Sequence, residues 1–302
     1  MLTKQKRRIL FYISISVFLI LALPVLFFTL GYRIGPGFDV QKTGGIFIQT
    51  SQSGTLVSAG GRTKHSSIIG RSALIKNLAP GSYEVLVKKD GFWDWKKMLA
   101  VRPEEVISRS ALLIPMNASG RILGTSTPAL NAPKPPYSSI NKFWPLAGGD
   151  FLILGEDENF YRNNAFIDKE FSGEALAILK TVPNAIFADA DRRLIFWEGR
   201  NIDSLWLGDN DKMPSWQKER ELKVFTSPVG TEVRGIAQYP GWPDYLLVAY
   251  SNGIFAMEME PAGGQNIFPI YKGKKPNFML DPENPKRLIA SDDGNYLEIE
   301  LQ

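Results

Sequence analysis

Residues 9 to 30, ILFYISISVFLILALPVLFFTL, form one unbroken apolar run, and beyond residue 45 the chain changes to short stretches of alternating apolar and polar positions. At about 1.5 Å per residue the run covers roughly the ~30 Å hydrocarbon layer of a bilayer, which predicts a single membrane-spanning helix. Pro24 removes one ladder hydrogen bond, and Ser14 and Ser16 can bond back to preceding carbonyls, all tolerated in such a helix. The preceding tail, residues 1–8, carries Lys4, Lys6, Arg7 and Arg8 and no acid, so the positive-inside rule predicts a cytoplasmic N-terminus and an exported remainder. The run is longer than a signal-peptide core, and no A-x-A-like site follows it. An uncleaved anchor is therefore expected rather than a cleaved signal.

Residues 31–43 are glycine-rich and without period, which predicts a short stalk. Alternation then predicts strands around Ile46 to Ile48, Gly54 to Ser58, Ala73 to Leu78, Ser82 to Lys88, Trp93 to Val101 and Val106 to Ile114. Between them, Gly60-Gly61, Pro80-Gly81 and Asp90-Gly91 supply the backbone angles that tight turns need. Short strands without a helical segment predict a small antiparallel β-sandwich over residues 44–116.

Within that segment, Leu78-Ala79-Pro80-Gly81-Ser82-Tyr83-Glu84-Val85, Lys89-Asp90-Gly91-Phe92, Trp95, Val101 and Leu112-Leu113-Ile114-Pro115 follow one another as strand, Pro-Gly turn, Tyr-bearing strand, Gly-aromatic turn and final strand pair. In this order they resemble the second half of a PEGA domain. The first half departs from the family: its namesake motif falls on Gln52-Ser53-Gly54-Thr55, where only Gly54 agrees, and its Gly-x-Thr-Pro falls on Gly70-Arg71-Ser72-Ala73. The resemblance implies an exported envelope protein of bacterial or archaeal type. Trp93 and Trp95 share a face by the two-residue period; Trp95 is expected in the core, and Trp93 is a candidate platform for a sugar ring.

Residues 117–141 are rich in Pro, Ser, Asn and Ala and predict a linker. From 142 to 302 a weak repeat of roughly 40 to 50 residues follows, with paired strands beginning near Asp150, Arg192, Asp244 and Lys286. Each pair has a short strand upstream, at Lys142 to Leu146, Asn184 to Ala188, Glu232 to Gln238 and Pro276 to Leu280. The first three units add another near 175 to 180, 220 to 226 and 266 to 271. Four strands per unit at this period predict a β-propeller-like region of four units, with a plain β-sandwich as the alternative. The last unit lacks an outer strand, which Gly120 to Thr125 would provide.

Charge adds placement. Of 35 basic and 31 acidic side chains, residues 31–116 hold 12 and 6, and residues 117–302 hold 19 and 25. With four basic residues in the tail, the exported part is neutral as a whole, which argues against nucleic acid as a partner. There is no cysteine, so disulfides, thiol nucleophiles and thiolate metal sites are excluded. The sole histidine, His65, is expected in a polar loop, which leaves no multi-histidine metal site. Carboxylates cluster at Glu156-Asp157-Glu158, Asp189-Ala190-Asp191, Asp209-Asn210-Asp211 and Asp292-Asp293-Gly294, in expected turns where Asp bonds its own backbone.

The chain is thus expected to be all-β with one N-terminal transmembrane helix: a PEGA-like sandwich followed by a propeller-like domain. It is read as a non-catalytic binding or scaffold protein of the bacterial cytoplasmic membrane, with extracytoplasmic domains and no cofactor or metal. Wall polymer, surface polysaccharide and other envelope proteins are the candidate partners. Trp93, Trp197, Trp206, Trp216 and Trp242 are the candidate binding surface, because Trp stacks on sugars and anchors protein interfaces. An extracytoplasmic sensor subunit and a propeller-type glycoside hydrolase are the alternatives; a hydrolase requires two carboxylates a few ångströms apart in a pocket.

Overall fold

The computed structural model describes residues 4–29, 31–34, 40–125, 140–163, 165–167 and 170–301. The apolar run forms helix α1 (Lys4–Thr29), long and apolar enough to cross a membrane by length and composition. Inside it the Ser14 hydroxyl donates to the Leu10 carbonyl at 2.9 Å, which satisfies it without water. The described parts of 31–43 are not a featureless stalk. They form an antiparallel pair, β1 (Tyr32–Ile34) with β2 (Val40–Lys42), and the Thr43 hydroxyl and amide both donate to the Gly31 carbonyl, at 2.8 and 3.0 Å.

The chain divides into two compact units, one of Met1–Lys88 and Lys96–Ala111, the other of Lys89–Trp95 and Leu112–Gln302. In the first, β3 (Gly44–Thr50), β4 (Leu56–Ala59), β5 (Arg62–His65), β6 (Ser72–Leu78), β7 (Gly81–Lys88), β8 (Trp95–Val101, whose opening Trp95 belongs to the second unit) and β9 (Val106–Ala111) make two sheets, ordered β6-β3-β9 and β5-β4-β7-β8. β3 runs antiparallel to β6 and parallel to β9. Ile46, Ile48, Val57, Val85 and Val87 are wholly buried, as the two-residue period requires of inward positions. His65 is the last residue of β5 rather than part of a loop. The strand Arg62-Thr63-Lys64-His65 has no apolar alternation, so pattern alone does not reveal it; its pairing with Leu56–Ala59 does.

The second unit contains β10 (Gly120–Gly124), β11 (Ile140–Pro145), β12 (Phe151–Gly155), β13 (Phe160–Arg162), β14 (Ala165–Phe166), α2 (Gly173–Thr181), β15 (Asn184–Ala188), β16 (Arg193–Glu198), β17 (Asn201–Trp206), β18 (Glu221–Thr226), β19 (Val233–Gln238), β20 (Tyr245–Tyr250), β21 (Gly253–Glu258), β22 (Ile267–Lys272), β23 (Asn277–Leu280), β24 (Arg287–Asp292) and β25 (Asn295–Glu300). They form four four-stranded sheets, β11 to β14, β15 to β18, β19 to β22, and β23-β24-β25-β10. All of their pairings are antiparallel. Strand β10 pairs with β25, so the last sheet takes its outer strand from residues 120–124 as expected. Gly120 permits this pairing, because a Cβ there would sit 2.4 Å from the Glu298 carbonyl oxygen. The linker expected over 117–141 lies outside the described residues from 126 to 139.

Residues 175–180, expected as a strand, lie in α2. Ser172 caps it by accepting from the Ala175 amide at 3.2 Å, and Ala175 and Leu179, four residues apart, turn one face into the core. The fourth strand of the first sheet is instead β14, only two residues long. At the C-terminal end of α2 the Lys142 ammonium reaches the carbonyls of Leu179, Lys180 and Val182 at 3.3, 3.2 and 2.8 Å, a cation placed at the negative end of the helix.

Successive sheets pack through their first strands, β11 against β15, β15 against β19 and β19 against β23. One cluster of buried side chains joins Trp144 and Leu154 of the first sheet to Leu194 and Leu205 of the second and to α2. Another joins Ile195, Trp197 and Val224 of the second to Leu246, Val248 and Met257 of the third. Side chains add polar ties: Gln238 accepts from the Asp189 amide at 2.8 Å, and Arg234 donates to the Pro276 carbonyl and the Asn277 amide oxygen at 3.3 and 3.2 Å.

Candidate functional site

The chemically densest part of the second unit surrounds Arg193, the first residue of β16. The two-residue period gives it the same face as Ile195 and Trp197, so the strand carries a guanidinium into a hydrophobic layer, where it is 1% exposed. Four neighbours accommodate it. Its Nη1 donates to Ser204 Oγ at 3.0 Å and Gln217 Oε1 at 2.8 Å, and the rings of Trp206 and Trp216 lie 5.1 and 5.6 Å from its charge. Gln217 is oriented for this task because its Nε2 donates to the carbonyls of Glu219 and Arg220 at 2.8 and 3.1 Å, leaving the oxygen to face the guanidinium. Burial pulls the Arg193 group down to about 10, opposed by the charges of Asp244 and Asp189, so it stays cationic at neutral pH.

Asp244 completes the cluster from the third sheet's side. Trp216 Nε1 donates to it at 2.9 Å, and burial pushes its carboxyl above the usual range, against the pull of that bond and of Arg193. Next to it the Tyr245 hydroxyl accepts from Trp95 Nε1 at 2.9 Å and from the Leu112 amide at 3.2 Å. Full burial holds that phenol well above its ordinary value. Trp242 packs edge-on against Tyr245, with ring centres 6.2 Å apart.

The adjoining turn between β15 and β16 is strained. Asp189, Ala190 and Asp191 all take left-handed backbone angles, with φ of +53°, +53° and +64°, which costs roughly 1–2 kcal/mol per residue without glycine. Hydrogen bonds fix it from both sides. The Ala147 amide donates to both Asp191 oxygens at 2.9 and 2.8 Å, and Arg192 donates to the carbonyl and carboxylate of Asp189 at 3.0 and 2.7 Å.

Of the five tryptophans expected as a surface, none is exposed. Trp206 is 1% exposed, stacked on Arg193 with its Nε1 donating to the Asp209 carbonyl at 3.0 Å. Trp197 is 7% exposed within the layer between the second and third sheets. These two are core, because each strand position that carries them faces an adjacent sheet. Trp93, Trp216 and Trp242 are half-buried. Trp206 and Trp216 meet on Arg193, and Trp216 and Trp242 are linked through the neighbouring Asp244 and Tyr245. Arg193, Gln217 and Asp244 are the members of this cluster that pattern reading missed; an Arg immediately ahead of the apolar run Leu194-Ile195-Phe196-Trp197, in step with its inward positions 195 and 197, was the available signal.

The carboxylate clusters act within their turns. Asp157 accepts from the Tyr161 hydroxyl at 2.6 Å and from Asn159, contacts that hold it below the usual range, the tyrosine bond first. Asp209 pairs with Lys212 at 2.8 Å, so the cation beside it is a lysine. Asp292 accepts from the Lys274 amide at 3.0 and 2.9 Å and from the Tyr271 hydroxyl at 2.9 Å. Burial, then that bond, pushes the Tyr271 phenol up to about 12. Among the described residues no group of three or more His, Cys, Asp or Glu is placed to hold a metal.

A separate cleft of about 570 Å³ lies between α2 and the second sheet, lined by Glu174, Asp203, Glu219, Glu221 and Lys223 together with apolar side chains. Glu174 hydrogen-bonds Glu221, and this contact, with some burial and like-charge repulsion, raises the Glu174 carboxyl. Burial raises Asp203, and Lys223 opposes it. Neither glutamate belongs to the acidic clusters singled out in the sequence. Glu221 lies on β18, the edge strand of its sheet.

Residues 43–117 match the family model described as PEGA domain, so the chain carries a PEGA domain over about a quarter of its length. No curated protein matches the chain. Among solved structures, the extracellular domain of a hybrid two component system from B. thetaiotaomicron aligns at 13% identity over 53% of this chain and 20% of that one, with a TM-score of 0.30. A second structure of an extracellular domain from that organism gives 9% identity over 72% of this chain and 27% of that one, again at 0.30. The chain therefore spans only a fifth to about a quarter of the length of those two. YCF48 from Cyanidioschyzon merolae aligns at 11% identity over 80% of this chain and 86% of its own, at a TM-score of 0.35. Likenesses this weak carry no weight for fold or function.

Proposed function

We propose that the chain is a membrane-anchored, extracytoplasmic binding and scaffold protein of the bacterial cell envelope, without catalytic activity. The observation that carries this reading is the joining, in one chain, of an apolar helix behind a basic tail with a PEGA domain. The basic tail favours an N-in orientation, which exports everything after α1.

The four sheets of the second unit are read as blades of a four-bladed β-propeller. Three observations support this: each sheet is a four-stranded antiparallel unit, the first strands neighbour one another in succession, and the strand nearest the beginning of the unit completes the last sheet. The half-buried pair Trp216 and Trp242 is the proposed contact surface for wall polymer, surface polysaccharide or another envelope protein. The lack of catalysis is supported by the engagement of the turn carboxylates Asp157, Asp191, Asp209 and Asp292 with their own turns or neighbouring loops.

Co-sedimentation of the detergent-solubilised full chain with purified peptidoglycan and surface polysaccharide tests this reading. Binding to one polymer, weakened several-fold by Trp242→Ala with unchanged melting, is the expected result. Retention of neither polymer would exclude polymer adhesion and direct the search to envelope proteins, while release of new reducing ends would overturn the non-catalytic reading.

A further inference from the structure

The loop between β5 and β6 presents two adjacent isoleucines to solvent: Ile68 is 81% exposed and Ile69 is 96% exposed. Such exposure of neighbouring β-branched apolar side chains at a loop tip is unfavourable in water and marks a contact site.

The base of the loop is rigid. Ser66, 4% exposed, exchanges hydrogen bonds with Thr55: its amide donates to the Thr55 carbonyl at 2.8 Å, and its hydroxyl accepts from the Thr55 amide and hydroxyl at 2.9 and 2.8 Å. Above it, the Ser67 amide donates to the Ser72 carbonyl at 2.9 Å and the Arg71 amide to the Ser67 carbonyl at 3.0 Å. The two isoleucines are therefore held outward by a fixed frame and can be buried by a partner without ordering the loop first.

Around this tip the charge has one sign. From residue 40 to residue 83 the sequence contains no Asp or Glu; apart from Lys42, which pairs with Glu104, its Lys and Arg residues are Arg62, Lys64, Arg71 and Lys76, all exposed. Their contacts are with neutral carbonyls: Arg62 with Lys76 at 2.7 Å, Lys64 with Leu74 at 3.4 Å and Arg71 with Ser51 at 3.4 Å. None of the four forms an ion pair with a carboxylate among the described residues. An apolar tip carried on two strands, β5 and β6, whose exposed cations are unneutralised is complementary to a surface that offers hydrocarbon beneath a layer of anionic phosphates. A hydrated polyanion would satisfy the cations and leave the isoleucines in water.

We propose that the Ser66–Arg71 loop docks the PEGA domain onto an anionic lipid bilayer, with Ile68 and Ile69 entering the headgroup boundary and Arg62, Lys64, Arg71 and Lys76 contacting lipid phosphates. The proposal rests on the membrane-anchored reading, since α1 would keep the loop close to a bilayer, and it adds a second, reversible contact.

The absence of cysteine allows a clean test. The full-length chain carrying Ile69→Cys, labelled with an environment-sensitive fluorophore, is reconstituted into phosphatidylcholine vesicles with or without phosphatidylglycerol, and quenching by shallow spin-labelled lipid is read. Quenching several-fold stronger with phosphatidylglycerol is expected, and it should be lost when Arg62, Lys64, Arg71 and Lys76 are all changed to Gln, or in high salt. Equal quenching in the two vesicle types, or none in either, would overturn the proposal. So would a fluorescence shift on adding soluble polyphosphate that exceeds the lipid effect, because the site would then belong to a polymer. An alkaline carbonate wash is read on the same vesicles: release of the chain into the supernatant would refute the anchor, whereas a retained chain without quenching refutes only the docking loop.

Discussion

The PEGA domain and the four-sheet unit stabilise β-structure without a disulfide in different ways. The first buries mainly aliphatic side chains such as Ile46, Ile48, Val57, Val85 and Val87 between two small sheets, with Lys97, 1% exposed, as a buried charge beside them. The second repeats a four-stranded sheet, and its layers also enclose large polar or aromatic groups: Arg193, Trp206, Tyr245 and Trp197. A small sandwich has few contacts to lose, so each aliphatic position is a large fraction of its stability. In the larger unit the buried cation Arg193 is held by π faces and hydrogen-bond acceptors from the surrounding side chains.

The strongest break in this comparison should come from Ile48→Ala, which removes about 3 kcal/mol from a core of wholly buried aliphatics. Calorimetry of the full chain is expected to show the melting of the sandwich fall sharply with the four-sheet transition unmoved; a uniform shift of one shared transition would contradict two separately stabilised units. Tyr245→Phe comes next. It strands the indole N–H of Trp95 and the amide of Leu112, both buried donors to the lost oxygen, and should cost about 2 kcal/mol in the four-sheet transition. A change of only a few tenths would show that other acceptors take over.

The smallest effect belongs to Glu174→Gln at the acidic cleft. A carboxyl whose value is raised in the folded state supports stability when protonated, and that support is lost as pH rises through its folded value. Glutamine removes the charge that Glu221 repels, so the variant should melt slightly higher than the parent at neutral pH. The difference should vanish on acidification below the ordinary glutamate range. A lower melting temperature at neutral pH would mean that Glu174 is held there by a favourable ionic contact.

Much of this architecture was legible in the chain. The apolar run matches α1, the two-residue alternation located most strands of both units, and the segment at Gly120 to Thr125 supplies the outer strand that the last unit lacked by pairing with β25. Helix α2 escaped because nine residues with apolar positions at Ala175, Leu176, Ile178 and Leu179 satisfy a buried strand as well as a helix; the Ser172 cap was the deciding signal. The tryptophans were harder, since composition indicates neither which face of a strand meets the next sheet nor that Arg193 would require two of them as stacking partners. The exposed pair Ile68-Ile69 reads in sequence like an ordinary strand fragment, and only its place at the tip of a pinned loop separates it from the core.

Export of everything after α1 is decided by the orientation of the chain in the membrane. Single cysteines placed at Gln5, in the basic N-terminal turn of α1, and at Val229, 90% exposed in the second unit, can be probed with a membrane-impermeant maleimide on intact spheroplasts. The account predicts that the Val229 position reacts at once and the Gln5 position only after lysis, with the chain staying in the membrane fraction. Reaction of Gln5 on intact spheroplasts with Val229 protected would contradict it.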